Sequence, residues 1–99
     1  MSAQLSWQFD NDALAFTGEL TRATVADAWR ERAQWLGQQN PLVVSLANVE
    51  RVDSAGVAML LQLKKYLLQQ QCELVIHQPS QQFKAIVDVS GAATLLDVQ

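Results

Sequence analysis

Leu5, Trp7 and Phe9 alternate with polar Ser6 and Gln8, the period of two expected for a half-buried strand. Asp10-Asn11-Asp12 follows, a turn cluster whose side chains tolerate left-handed backbone. Leu14 to Thr17 predicts a second strand paired with the first as a hairpin and ended by Gly18-Glu19-Leu20. From Arg22 the period becomes helical: Val25, Trp29, Ala33 and Leu36 form a stripe, Thr21 or Thr24 can cap it, and Gly37 stops it. Trp35 falls beside that stripe and is expected to be a partly covered surface residue. Leu42 to Leu46, apolar except for Ser45, predicts a central strand. After Asn48 to Val52 comes the most apolar helix, Ala55 to Gln70, with a Leu60, Leu63, Leu67 stripe widened by Val57, Leu61 and Leu68. Glu73 to His77 is a further strand. Pro79-Ser80 opens a third helix facing the core with Phe83, Ile86 and Val87, Ser90-Gly91 closes it, and Leu95 to Val98 predicts a short last strand.

This order demands parallel pairs joined by right-handed crossovers, so the fold class is α/β. The expected architecture is one domain over residues 1–99: a mixed, mostly parallel sheet with an N-terminal β-hairpin and helices packed against it. No repeat or linker divides the chain. With 49% hydrophobic and 17% charged residues, disorder and fibrous classes are excluded. The longest apolar run, Val57 to Leu61, is far short of the ~20 residues of a membrane-spanning helix, so no direct membrane insertion is expected. The start of the chain lacks a basic-then-apolar signal, and Cys72 is the sole cysteine; both point to the cytoplasm. Seven basic against ten acidic residues give a net charge of −3 with no basic stripe, which argues against nucleic acid and against a polybasic hold on a membrane.

Catalytic chemistry is sparse. His77 and Cys72, five positions apart and the sole members of their kinds, fall short of a zinc ligand set. Ser54, His77 and Asp53 make a triad only on paper, because Ser54 lacks a nucleophile elbow and Asp53 adjoins the serine rather than the histidine. Gly18, Gly37, Gly56 and Gly91 are too dispersed to cradle a phosphate. No cofactor, metal or enzymatic activity is expected.

The informative segment is Asp53-Ser54-Ala55-Gly56. Asp53 or Ser54 reads as a helix N-cap. Gly56, in the first helical turn, costs about 0.5–1 kcal/mol relative to alanine and so suggests close approach by another backbone. A serine at a helix N-terminus also suits a phosphate, whose charge meets the positive end of the dipole. Helix start, accessible hydroxyl and small neighbours together suggest a docking surface.

Here the chain resembles the STAS domain family, the module shared by sulfate transporters and anti-sigma factor antagonists. The resemblance rests on Thr17-Gly18-Glu19-Leu20, on Val43-Val44-Ser45-Leu46 running into Val52-Asp53-Ser54-Ala55-Gly56, and on Asp88-Val89-Ser90-Gly91. It implies a STAS-like fold and two functions. Stand-alone members serve as cytoplasmic subunits of the Mla phospholipid transporter, binding its ABC ATPase in a system that maintains outer-membrane lipid asymmetry. The Leu5-Ser6-Trp7 strand and Trp29 look most like that group, which implies a protein peripheral to the inner membrane through its partner. Bacterial anti-sigma factor antagonists are instead phosphorylated on the serine after the aspartate, here Ser54, by an anti-sigma factor kinase. Two departures tilt away from the switch: Ser45 stands where the family often has Asp or Asn, and Ala55 replaces a second serine.

The expected partner-binding residues are therefore Arg51, Asp53, Ser54, Ala55, Gly56, Val57 and Met59. Val57 and Met59 would form the apolar centre, ringed by polar groups such as Arg51. Ser54 is the expected phosphorylation site on the alternative reading. A lipid- or nucleotide-binding domain ranks last, since no basic pocket or phosphate loop is visible.

Overall fold

The computed structural model describes residues 4–10, 12–37 and 39–91. Strand β1 (Leu5–Asp10) pairs antiparallel with β2 (Ala13–Leu20), from Leu5 opposite Gly18 to Asp10 opposite Ala13. Asp12 turns the hairpin in left-handed backbone at φ 66°, a conformation aspartate accepts more readily than most residues. Strand β2 does not stop before Gly18-Glu19-Leu20 but runs through it. Gly18 has φ 110°, and a Cβ there would overlap the Gln4 carbonyl oxygen, which instead accepts from the Glu19 amide at 2.9 Å.

Strand β3 (Leu42–Val52) is likewise longer than the apolar run implied, taking in Asn48 to Val52. It pairs parallel with β2, and the register shifts twice, between Ala15 and Thr17 and between Gly18 and Glu19 of β2. Each shift leaves one extra residue on β3, a bulge that interrupts alternation and hides the second half of the strand from a period-two reading. In the first bulge the Ser45 hydroxyl accepts from the Ala47 amide at 3.4 Å. Strand β4 (Leu74–His77) adds parallel to β3, giving four strands among the described residues in the order β1-β2-β3-β4. The Asn40 side chain ties the entrances of β3 and β4, donating to the Gln71 carbonyl and accepting from the Glu73 amide, both at 3.1 Å.

The helical segment after β2 is two pieces, α1 (Val25–Arg30) and α2 (Arg32–Trp35), broken at Glu31. No side chain caps α1 at Thr24. Its hydroxyl instead accepts from the Thr21 amide at 3.1 Å and donates to the Glu19 carbonyl at 2.8 Å, holding the loop onto the end of β2. Helix α3 (Ser54–Leu68) connects β3 to β4, and α4 (Gln81–Ser90) follows β4. Ser80 caps α4, accepting from the Phe83 amide at 3.0 Å, and Gly91 ends it at φ 74°. The expected strand at Leu95 to Val98 lies outside the described residues.

Both parallel crossovers proceed in one direction across the sheet, and with the right-handed turn that such connections take, α1, α2 and α3 fall on the same face. The burial pattern agrees: Leu14, Phe16, Val44, Leu46, Leu74 and Ile76 are buried beneath the helices, whereas Val43, Ser45, Val75 and His77 on the opposite face are half-buried. Trp35 is at the centre of this core, fully buried, and not on the surface as the stripe suggested. It meets Phe16 edge-on at 5.5 Å and its indole Nε1 donates to the Ala28 carbonyl at 3.0 Å, so its polar atom is satisfied. The buried positions here are Thr24, at the N-cap of α1, and Ala28 within it, while Val25 and Trp29 are half-buried and Ala33 is exposed. Small side chains let the helix approach the strands closely, and the bulky residues flank it.

Candidate functional site

Asp53 organises the edge of the domain where β3 passes into α3. Its backbone is extended, and its carboxylate caps the helix: Oδ1 accepts from the Ala55 amide at 2.9 Å and from the Gly56 amide at 3.2 Å. The second oxygen, Oδ2, accepts from the Arg22 amide at 3.0 Å, far away in sequence. Burial works against the ionised carboxyl, but the amides of Arg22, Gly56 and Ala55, aided by the Arg22 charge, outweigh it and hold Asp53 below its ordinary value.

With Asp53 as the cap, Ser54 is the first residue of α3 and is exposed. Behind it, Gly56 is buried against the end of β2, where a Cβ would overlap the Leu20 carbonyl oxygen. That oxygen also accepts from the Asp53 amide at 3.3 Å. The close backbone approach expected from a glycine in a first helical turn is thus present, and its neighbour is this chain's own β2.

A shallow apolar depression of about 380 Å³ opens next to Ser54, between α1 and α3. Val25, Ala26 and Trp29 form one wall and Ala55, Ala58, Met59 and Gln62 the other. Among the expected site residues, Asp53, Ser54 and Ala55 therefore lie together at an accessible edge. Arg51 is exposed near the end of β3, opposite Glu19. Val57 and Met59 require a correction: at 2% and 5% exposed both pack in the core and neither protrudes as an apolar centre, although Met59 also reaches the wall of the depression. Stepping back by three or four positions from Leu60 and Leu63 along their own stripe reaches Val57 and Met59, so the helical period already contained this answer. The accessible apolar surface beside Ser54 comes instead from exposed Ala58 and from half-buried Val25 and Trp29, which the helical stripe had grouped together.

Cys72 is half-buried with its Sγ directed at the Gln39 carbonyl at 3.3 Å, and no group of three or more metal-ligating side chains forms among the described residues. No helix among the described residues is long and apolar enough to cross a membrane.

A family model described as a Mlab STAS domain matches residues 3–97. The chain belongs to this family. It is 36% identical over 63 residues to the intermembrane phospholipid transport system binding protein MlaB of Escherichia coli K12, a match covering 64% of this chain. The Shigella flexneri protein of the same description matches equally, at 36% over 63 residues. The match spans 63% of the length of each of these relatives. Among solved structures, the anti-sigma factor antagonist SpoIIAA in its unphosphorylated form superposes with a TM-score of 0.63 at 17% identity, covering 98% of this chain and 87% of that one. The Bacillus cell fate determinant SpoIIAA in the phosphorylated form gives 0.63 at 17% identity, covering 98% of this chain and 90% of that one. These structures share the α/β fold expected from the order of elements, with its mixed sheet and N-terminal hairpin.

Proposed function

We propose that this protein is a non-enzymatic binding subunit of an intermembrane phospholipid transport system, and that it docks on the system's ABC ATPase through the edge built by Asp53, Ser54 and Ala55 and the adjoining α1–α3 depression. The observation carrying this reading is the exposed Ser54, set beside an apolar depression on a rigid helix start, in a chain of the MlaB-type family. A half-exposed tryptophan at the centre of such a surface, with a polar rim, is the composition of a protein-binding patch. Through this partner the protein is held in the cytoplasm at the inner membrane. Arg51 belongs to the rim, and Gly56, Val57 and Met59 contribute by fixing the helix that presents Ser54.

Affinity purification of the tagged protein from its own host, with mass spectrometry of partners and of the intact chain, tests the reading. The expected result is an ABC ATPase with membrane components and unmodified Ser54. Recovery of an anti-sigma factor kinase, or a phosphate on Ser54, would replace this reading with the switch, which the exposure of Ser54 also permits. Ser54→Arg is expected to abolish ATPase capture while leaving circular dichroism and the melting temperature unchanged; intact capture in that variant would remove Ser54 from the docking surface.

A further inference from the structure

The space between α1–α2 and α3 has two chemically different halves. Next to Ser54 lies the apolar depression already described. Beyond Trp29 a second cleft of about 420 Å³ opens, lined by Arg30, Arg32, Leu36, Tyr66, Leu67 and Gln70 among others. The two are divided by a stack: Trp29 meets the Tyr66 ring edge-on at 5.9 Å, and the Arg32 guanidinium lies 4.7 Å from the Trp29 ring centre and 5.2 Å from that of Tyr66.

Arg32 is under-partnered for a half-buried cation. Its Nη1 donates to the Trp29 carbonyl at 3.0 Å, while its Nε is buried with no hydrogen-bond partner. Among the described residues, no carboxylate forms an ion pair with it. The ion pair present there is Arg30 with Asp27, at 2.8 Å, and it is solvent-exposed. A planar guanidinium with five donors, stacked on aromatic faces, is preorganised for a carboxylate. It also stands out on a chain whose net charge is −3.

We infer that the Arg32 cleft receives an acidic side chain of the same protein partner that covers the Ser54 depression, so that the partner presents an apolar contact and a carboxylate on opposite sides of Trp29. This inference rests on the docking reading above. The cleft's walls support a protein carboxylate as the occupant: Leu36 and Leu67 offer apolar contact beside the cation, and the cleft continues a surface already suited to a protein.

The test is the dissociation constant of the full-length protein for the purified transport ATPase at low and at high salt, for wild type, Arg32→Gln, Arg32→Lys and Ser54→Arg, with Lys84→Gln on the exposed face of α4 as a charge control. Arg32→Gln is expected to weaken binding about ten- to a hundred-fold and to flatten its salt dependence. Arg32→Lys, which keeps the charge and loses the planar fork, should fall between. Lys84→Gln should bind as wild type. Should Arg32→Gln fold poorly by near-ultraviolet circular dichroism, Arg32→Lys decides alone. Wild-type affinity in the folded Arg32 variants, with binding lost in Ser54→Arg, would overturn the carboxylate contact and leave the docking reading standing. A wild-type protein that does not bind the ATPase would overturn both.

Discussion

Replacing Gly56 by alanine separates two physical effects of opposite sign. Helix propensity alone favours alanine in the first turn of α3 by about 0.5–1 kcal/mol. The structure opposes it. The added Cβ overlaps the Leu20 carbonyl oxygen and lies 3.0 Å from both the carbonyl carbon and Cγ of Leu20. Those backbone atoms cannot swing aside as a flexible side chain would, because Leu20 is in register with Val52 and its oxygen accepts from the Asp53 amide. The start of α3 must lift instead, loosening the Asp53 bridge to Arg22 as it does so. Overpacking of this kind costs about 1–3 kcal/mol, which leaves a net loss between about 0 and 2.5 kcal/mol, about 1 kcal/mol at mid-range, after the propensity gain. For a domain of this size each kcal/mol lowers the melting temperature by about 4–8 °C. Urea unfolding followed by tryptophan fluorescence measures the difference, with an unchanged slope confirming that the native state is still compact. A variant more stable than wild type would show the propensity gain unopposed and so refute the close helix–strand approach, and with it the account of why glycine stands there.

Asp53→Asn should destabilise the domain by about 1–2 kcal/mol at neutral pH, since the cap weakens and one carboxylate oxygen becomes an NH₂ donor facing a backbone amide. Because the folded-state value of Asp53 is depressed, its contribution is fully present above the ordinary value of 3.8 and is lost as pH falls through the lower folded value. Wild-type stability should therefore drop on acidification below about pH 4 more steeply than that of Asp53→Asn; parallel curves in urea titrations across that range would contradict the cap. Trp35→Ala, which removes a fully buried ring and its hydrogen bond to Ala28, should cost about 3–5 kcal/mol; a melting temperature within a few degrees of wild type would displace Trp35 from the core.

How much of this was legible beforehand varies with the element. The hairpin, α3 and α4 each carried a clean period and recognisable end residues, and Asp53, Ser80 and Gly91 act at the ends where their side chains or backbones suit them. The fold class followed from element order alone. Less visible was the length of β3, because its bulges break the alternation on which recognition depends. The inner face of α1 was hidden for a different reason: closeness to the sheet selects Thr24 and Ala28, so the largest hydrophobic residues are not the deepest ones. Of the surface proposed for docking, Asp53 and Ser54 were already singled out by the helix-start segment. Trp29 and Arg32 were not, since their significance arises only when α1–α2 and α3 lie side by side.

The Asp53 carboxylate joins three stretches of chain: the end of β3, the first turn of α3 and, through the Arg22 amide, the approach to α1. A surface assembled from two helices would ordinarily lose conformational freedom when a partner fixes their relative placement, and that loss subtracts from affinity. Here one side chain has already imposed the placement during folding. On the docking proposed above, the partner would meet an edge ordered at the cost of domain stability rather than of the encounter, so changes at Asp53 should register in binding even though its carboxylate faces its own backbone.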